Sequence, residues 1–448
     1  MISGICAAAA LLATGTWLVR LATPALPSGF VETAQRLALG FVFGVGACSC
    51  AFAVVLFSRG LGASPDSGNA VLLAVALLIL VNQKRSLTRL CSKLSKPADR
   101  LVVLGFGCAA LAAVAIFIEH VVRHPEGGWD ATMIWILRAR DLFAGRTLAV
   151  ALPAEQTWSH PDYPLLLPGA LAELWTIQGH WGQAAPIALA AIYAICTVVL
   201  LVSAVGQRVG LNVGLFAGTL LLATPSFAME ASTREADVPL AAELLVAVLL
   251  ASEALRCHDL AQRSRLLLGA GLACGLAAWT KNEGVVFSLA MFFCLLARRP
   301  TADGARDAAA FALGCAPVAL LIFFFKTQLA PPNDLFVGNV WSRLWRPARF
   351  GELVWLMVRR LVLFQVWGLT LVSAIVATGW LWWKPARRPT TDRPLWQTLA
   401  SAVIGVALIY QVSPHDLGWH VRSSIDREFL QLWPSLLFLL FSSGQFSL

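Results

Sequence analysis

The stretch LVVLGFGCAALAAVAIFI at residues 101–118 contains no charged side chain. As an α-helix, which rises 1.5 Å per residue, it would be about 27 Å long, close to the roughly 30 Å hydrocarbon thickness of a bilayer. A helix that is apolar on every face belongs in a membrane or deep in a protein core. This stretch therefore predicts a membrane-spanning helix.

The composition of the whole chain supports the same interpretation. Of 448 residues, 58% are hydrophobic and 13% are charged, whereas soluble domains have about 45–50% apolar and about 25% charged residues. These proportions exclude a soluble globule and a disordered chain. The ten cysteines lie in apolar runs or in loops predicted to be cytoplasmic, so no framework of disulfides is expected.

Thirteen apolar segments are long enough, or nearly long enough, to cross a bilayer. They predict an all-α fold, a polytopic transmembrane helical bundle of about 13 spans. The segments are 3–19, 37–58, 70–82, 101–119, 183–205, 211–229, 239–255, 266–280, 284–297, 307–325, 361–383, 396–412 and 429–443.

Basic residues predict the orientation of these spans, because cytoplasmic loops are enriched in Lys and Arg. The loop at 83–100 is rich in both and is placed inside, which puts the N-terminus outside and the C-terminus inside. The net charge of +9 then reflects topology and membrane lipid contact, so no nucleic-acid partner is expected. The short apolar segment 163–178 would break the alternation and is predicted to be a re-entrant or interfacial helix.

Ionisable and aromatic side chains concentrate in the predicted external loops. These loops are 120–182, 230–239, 280–284, 326–360 and 413–428. In a helical bundle they can converge on one cavity at the external edge of the membrane. Such a cavity would suit chemistry on a lipid-linked head group.

Some of these residues also have purely structural interpretations. Asp130 could cap a helix that follows it. Glu235 and Asp237 could simply neutralise Arg234. Aromatic residues at loop edges could form an interfacial belt.

Lys281 and Glu243 also have more than one interpretation. Lys281 could form a local ion pair with Glu283. Glu243 lies inside a predicted span, where a carboxylate is expected to be functional, and it could face the cavity or pair across helices.

Five sequence motifs, taken in chain order, resemble those of a known family. The chain resembles bacterial GT-C glycosyltransferases, and most closely the superfamily of protein O-mannosyltransferases and lipid A aminoarabinose transferases. The resemblance covers 101–448, the expected GT-C-like core with external loop helices, whereas 1–100 looks like additional N-terminal spans with a basic cytoplasmic loop. The motifs are GWDATMIWILRARDLF (128–143), HPDYPLLLPGA (160–170), EADVPLA (235–241), WTKNEG (279–284) and HDLGWHVRSSIDREFLQLWP (415–434).

The resemblance implies inverting transfer of a sugar from a polyprenyl-phosphate donor to a lipid, glycan or protein acceptor. It places the chain in the bacterial cytoplasmic (inner) membrane, with the active site facing the periplasm or exterior. Asp130 matches the family's catalytic carboxylate in the first external loop. Asp237, or alternatively Glu235, matches a second acidic residue, and Tyr163 corresponds to the family's aromatic-proline segment.

The chemistry of glycosyl transfer suggests roles for the same residues. An acceptor hydroxyl needs a carboxylate to take its proton, for which Asp130 is the first candidate and Asp237 or Asp162 the alternatives. A departing phosphate needs cations. Candidates for binding the phosphate are Lys281, Arg422 and Arg427, with His420 as a hydrogen-bond donor.

The remaining predicted substrate-binding residues are His160, Asp162, Tyr163, Glu235, Glu283 and Trp129. Trp158 and Trp419 could join Trp129 in stacking on the sugar or lining a lipid groove. A divalent cation could bind to Asp130, Asp237 and His160, although their spacing does not require one.

Two other classes of protein compete with this interpretation. A transporter or lipid-linked sugar flippase would have paired broken helices and charges near the bilayer midplane, but only Glu243 fits that pattern. A structural membrane subunit would leave the many external ionisable residues unexplained.

Overall fold

The computed structural model describes Thr16 and residues 30–58, 98–298, 302–333, 335, 338–362, 364–383 and 390–442. Across these residues the fold is all-α, as predicted, and contains no strand. Apart from Thr16, the predicted span 3–19 lies outside the described residues, as do the predicted span 70–82 and most of the basic loop.

The helices are numbered here in chain order. The first nine are α1 (Phe30–Ser58), α2 (Arg100–Arg123), α3 (Leu137–Phe143), α4 (Leu148–Ala151), α5 (Leu166–Gln178), α6 (Ala184–Val209), α7 (Leu211–Leu222), α8 (Pro225–Thr233) and α9 (Asp237–Arg256). The others are α10 (Leu260–Thr280), α11 (Asn282–Ala297), α12 (Ala302–Gln328), α13 (Val340–Leu344), α14 (Pro347–Leu361), α15 (Phe364–Trp367), α16 (Thr370–Trp383), α17 (Arg393–Val412) and α18 (Leu417–Ser442).

Helix α9 forms the centre of the bundle. Every residue from Asp237 to Ser252 is buried, and the helix packs against α6, α10 and α18. Its apolar character on all faces explains this position. Any polar side chain on α9 must therefore find its partners inside the protein.

Six described helices are long and apolar enough to cross a membrane. They are Val31–Ser58 of α1, α2, α6, α9, Asp303–Gln328 of α12, and α17. The multi-pass helical architecture is thus confirmed, and the total of thirteen spans stays a prediction. The boundary predicted at residue 100 is also untested, although α1 packs against α5 and α6 and shares their core.

Two predicted spans have a different form in the structure. Residues 211–229 are not one straight helix, because α7 and α8 meet at an angle of 67° where Pro225 begins the second helix. Residues 361–383 contain the end of α14, the short α15 and the 14-residue α16. Helix α14 carries basic residues in its last turn, and Arg360 pairs with Asp426 of α18.

The predicted non-crossing segment 163–178 corresponds to α5, which is buried against α1 and α3. Its flanks lie at the same end of the bundle. Before it, Asp162 pairs with Lys326 at 3.1 Å. After it, Gln183 donates a hydrogen bond to Glu126 at 2.8 Å. The segment therefore enters and leaves on one side, as predicted.

We call this end of the bundle the site end; it is formed by 124–165, 234–237, 281–283, 326–333, 335, 338–346 and 410–428. At the opposite end, ion pairs hold neighbouring helices together. They are Arg208–Glu253, Arg256–Asp392 and Arg263–Asp307. The predicted placement of this basic end in the cytoplasm is untested.

The contact between α10 and α12 gives a test of the fold. A Cβ atom at Gly271 would lie 2.0 Å from the backbone oxygen of Phe311. Gly271→Val should therefore lower the free energy of unfolding by at least about 1–3 kcal/mol, the usual cost of overpacking. The matched control is Gly105→Val in α2, where nothing lies within 4 Å. Equal unfolding temperatures of the two variants in detergent would contradict this packing.

Candidate active site

Charged residues that are far apart in sequence meet at the site end. Asp130 follows α2, Asp237 begins α9, Lys281 joins α10 to α11, and Arg427 lies in α18. Arg427 and Asp130 are 297 positions apart and form an ion pair. The loops that the sequence predicts to be external thus converge on one set of side chains.

A close approach between the loop at Gly128 and the loop at Glu235 positions Asp130. A Cβ atom at Gly128 would lie 2.2 Å from Oε1 of Glu235, so a larger residue there would displace the Glu235 carboxylate from this position. A π-helical turn at Ala131–Ile136 follows Asp130, whose side chain makes no capping hydrogen bond. The capping interpretation is therefore wrong, because the carboxylate is paired with Arg427 instead.

Arg427 is surrounded by three carboxylates. Besides Asp130, its Nη1 lies 2.8 Å from Glu235 Oε2 and 4.0 Å from Asp237 Oδ2. Arg234 donates instead to backbone carbonyl groups in the loop after α2. The interpretation in which Glu235 and Asp237 neutralise Arg234 is therefore wrong.

Lys281 continues the network on the other side of Asp237. Its Nζ lies 3.0 Å from Asp237 Oδ1, 3.2 Å from Glu283 Oε1 and 3.7 Å from Glu428 Oε1. Gln431 donates to the same Asp237 oxygen at 2.7 Å. Burial alone would lower the pKa of Lys281, but these carboxylates raise it well above its ordinary value. The predicted local ion pair exists within a larger network.

Carboxyl groups outnumber cations in this network. Glu230, Glu235 and Asp237 each place an oxygen within 4.8 Å of the other two, a spacing that could suit a divalent cation. Arg427 already lies among them, so its guanidinium supplies part of the charge that a metal would supply. Burial and the neighbouring Glu230 raise the pKa of Glu235 well above its ordinary value. Among the predicted ligands, only Asp237 belongs to this group.

Asp162 connects its own loop to α11, to α12 and to the segment after α12. Its Oδ2 accepts hydrogen bonds from Asn333 at 2.8 Å and Asn282 at 2.9 Å, and lies 3.1 Å from Lys326 Nζ. Burial alone would raise the pKa of Asp162, but these donors hold it below its usual value. With this oxygen committed to protein groups, we expect Asp162 to position the loop.

The loop that contains Asp162 also contributes two rings to an aromatic stack. The His160 and Tyr163 rings lie 4.8 Å apart, and Tyr163 stacks on Trp135 at 5.6 Å. His160 has a φ of 46°, a left-handed conformation that is uncommon for a residue with a side chain. Arg138 stabilises this loop by donating to the backbone oxygens of Ser159, His160 and Tyr163.

His420 also lines the cavity, and its ring lies 4.5 Å from that of Tyr410. Burial, followed by the nearby His415 and His160, lowers the pKa of His420 to about 4. The imidazole is therefore neutral near pH 7 and can donate one hydrogen bond, as its predicted role requires.

One cavity of about 1350 Å³ connects these groups to an apolar groove. The groove lies between α11 and α12. From Lys326 to Phe311 it follows α12 for about 22 Å at 1.5 Å per residue. Its apolar side chains include Val285, Leu289, Phe292, Phe311, Ala319 and Phe323. A charged end and a long apolar end are thus parts of one space.

Most predicted site residues line this cavity. They are Trp129, Asp130, His160, Asp162, Tyr163, Asp237, Lys281, Glu283, His420 and Arg427, and the half-exposed Trp158 and Trp419 join them. Glu235 is buried against Arg427, and Arg422 is exposed and outside the cavity lining.

Several site residues were not predicted as such, among them Lys326, Asn333, Tyr410, Glu428 and Gln431. Gln431 follows Arg427 by four positions, the spacing that places side chains on one helix face. That spacing could have indicated Gln431. Glu243 does not reach the cavity lining, because its carboxylate accepts hydrogen bonds from Thr280 at 2.6 Å and Tyr193 at 3.5 Å. It pairs across helices.

Comparison with known proteins supports one class of enzyme. Residues 162–325 match the family described as dolichyl-phosphate-mannose-protein mannosyltransferase, which confirms the resemblance over this part of the chain. The match supports a membrane glycosyltransferase of the GT-C type. No curated protein and no solved structure matches the chain.

The Arg427 network predicts a large and pH-dependent effect on stability. Arg427→Gln leaves buried carboxylates without their cation, which should lower the free energy of unfolding by about 3–5 kcal/mol. The loss should be smaller at about pH 5 than at about pH 8, because protonation removes the repulsion between unpaired carboxylates. Thermal unfolding in detergent measures both effects, with the exposed Arg422→Gln as control. Equal stability of the two variants at high pH would contradict the network.

Proposed function

We propose that the protein transfers a sugar, with inversion, from a polyprenyl-phosphate donor to an acceptor hydroxyl at the outer face of the bacterial cytoplasmic membrane. The observation that carries this proposal is the continuity between the charged network and the apolar groove. A lipid-linked sugar has the same two parts, a polar head and a long hydrocarbon chain. The family that matches 162–325 is named for such a donor.

The groove gives the donor its orientation. The polyprenyl chain would lie between α11 and α12, where Leu289 and Phe323 are more than half exposed. Its phosphate would then reach Lys281, at the point where α11 begins. A buried cation stabilises charge that develops on a departing phosphate more strongly than one in water does.

Asp130 is the better placed of the two predicted catalytic carboxylates. Its side chain is 24% exposed and lines the cavity, whereas that of Asp237 is 3% exposed. Asp237 Oδ1 already accepts hydrogen bonds from Lys281 and Gln431. We therefore assign proton abstraction from the acceptor to Asp130 and orientation of Lys281 to Asp237.

The reaction is a single displacement. The acceptor oxygen forms a bond to the anomeric carbon and loses its proton to Asp130, while the bond from that carbon to the phosphate oxygen breaks. Asp130 and Lys281 lie on either side of Asp237 in the network, an arrangement that suits entry and departure from opposite faces. The acceptor is a lipid, a glycan or a protein. Arg427 and Lys281 supply positive charge, so a divalent cation would assist the reaction without being essential.

Substitution of Asp130 tests the proposal. Asp130→Asn keeps the shape of the side chain but cannot take a proton, so sugar transfer should fall by about 10²-fold or more. The assay follows release of polyprenyl phosphate from polyprenyl-phosphate mannose by purified protein. Asp141→Asn, which removes a carboxylate outside the cavity lining, should keep its rate. An unchanged rate in Asp130→Asn would remove Asp130 from the mechanism.

A second assay separates the enzyme from a transporter. In detergent no gradient exists, so only an enzyme would attach sugar covalently to an acceptor or to water. Movement of the lipid-linked sugar across sealed vesicles, without any broken glycosidic bond, would contradict the proposed function.

A further inference from the structure

Two glutamates lie together where the charged network meets the apolar groove. Glu283 is in the first turn of α11 and Glu428 is in α18. Both line the cavity, and their carboxyl groups meet at the same lysine. Lys281 Nζ lies 3.2 Å from Oε1 of Glu283 and 3.7 Å from Oε1 of Glu428.

Each of the two carboxyl groups has one oxygen that lacks a hydrogen-bond donor in the part of the chain that the structure describes. The Oε2 atoms of Glu283 and Glu428 are buried, and no N–H or O–H group among the described residues donates to them. An ionised carboxylate only accepts hydrogen bonds, and two buried carboxylates in contact do not both ionise readily. One proton shared by the pair would satisfy these oxygens and remove the repulsion between the two groups.

The surroundings favour one proton on this pair. The groups that face it are Lys281, Asp237 and the phenols of Tyr163 and Tyr410. Lys281 carries a single positive charge that it shares with Asp237, so it cannot balance both glutamates in their ionised form. Burial and then the adjacent Glu283 raise the pKa of Glu428 well above its ordinary value.

The pair also lies where a leaving group would be. Val285 and Leu289 follow Glu283 on α11 and form the start of the groove. A lipid chain in the groove would bring its phosphate to Lys281 and therefore to the two glutamates. Asp130 is farther along the network, beyond Asp237 and Arg427. A base and an acid would thus flank the sugar.

We propose that the Glu283–Glu428 pair is the general acid that protonates the departing polyprenyl phosphate. This inference rests on the proposed function. As the bond between the anomeric carbon and the phosphate oxygen breaks, its electron pair stays on that oxygen and the shared proton moves to the phosphate. The acceptor proton goes to Asp130, and its later release to water balances the proton that the pair regains from water.

Infrared spectroscopy tests the shared proton without any substrate. The C=O stretch of a protonated carboxyl group is separate from the bands of carboxylates. The difference spectrum at neutral pH between the unsubstituted protein and Glu428→Gln should contain this band. Glu283→Gln should remove the same band, and the exposed Glu119→Gln should not. Since Glu243 is present in all of these proteins, its contribution cancels.

Turnover of polyprenyl-phosphate mannose tests the transfer of that proton. In Glu428→Gln the new amide can still donate a hydrogen bond to Glu283, so the contact survives without a transferable proton. Release of polyprenyl phosphate should fall by about 10²-fold or more. The unsubstituted protein should lose activity as rising pH removes the shared proton, and both glutamine variants should lack that decline.

The possible results have distinct meanings. Absence of the carboxyl band would show two ionised glutamates and would overturn the inference. A band with unchanged turnover and pH profile in both glutamine variants would overturn the role as acid. If the unsubstituted protein does not act on the donor at all, the proposed function fails and the transfer step with it, while the infrared band still decides whether the proton is shared. Unfolding temperatures check that each variant is folded.

Discussion

The burial of Asp237 is the constraint on which the site depends. Helix α9 is enclosed by its neighbours from its first residue, so the charge of Asp237 has to be balanced inside the protein. An uncompensated buried ion costs several kcal/mol. Lys281 and Arg427 supply that balance from the junction of α10 and α11 and from α18. These contacts in turn fix the loop that carries Asp130, because Arg427 pairs with that carboxylate as well.

The same constraint gives the site its chemical character. Two cations, Lys281 and Arg427, are shared among a larger number of carboxyl groups. In the proposed reaction the excess carboxyl groups would carry protons, and Lys281 would attract the phosphate. The position of the network at the mouth of a groove between α11 and α12 connects this charge to a space suited to a hydrocarbon chain. Neither part alone would indicate glycosyl transfer, since acidic networks and apolar grooves both occur in transporters. Their continuity, together with the family match over 162–325, favours the enzyme.

The sequence predicts the architecture better than the contacts, for physical reasons. Apolar length identifies spans, and the cost of polar groups in a bilayer explains why the loops between spans collect the ionisable side chains. Periodicity and composition do not show which carboxylate meets which cation. From the sequence alone, Asp130 resembles a helix cap and Arg234 resembles the partner of Glu235, because in each case the expected partner is a neighbour in the chain. The actual partner, Arg427, is brought close only by tertiary packing. Lys326 and Asn333 were not predicted for the same reason, because their common partner Asp162 is far away in the chain. The bend between α7 and α8 likewise depends on local backbone geometry that an apolar run does not reveal.

A structure of the protein with a non-reactive polyprenyl-phosphate sugar analogue, determined by electron microscopy in a lipid nanodisc, tests the central claim most directly. The account predicts the lipid chain between α11 and α12, the phosphate in contact with Lys281, and the sugar between Lys281 and Asp130. A lipid bound elsewhere on the bundle, with its phosphate remote from Lys281, would contradict it.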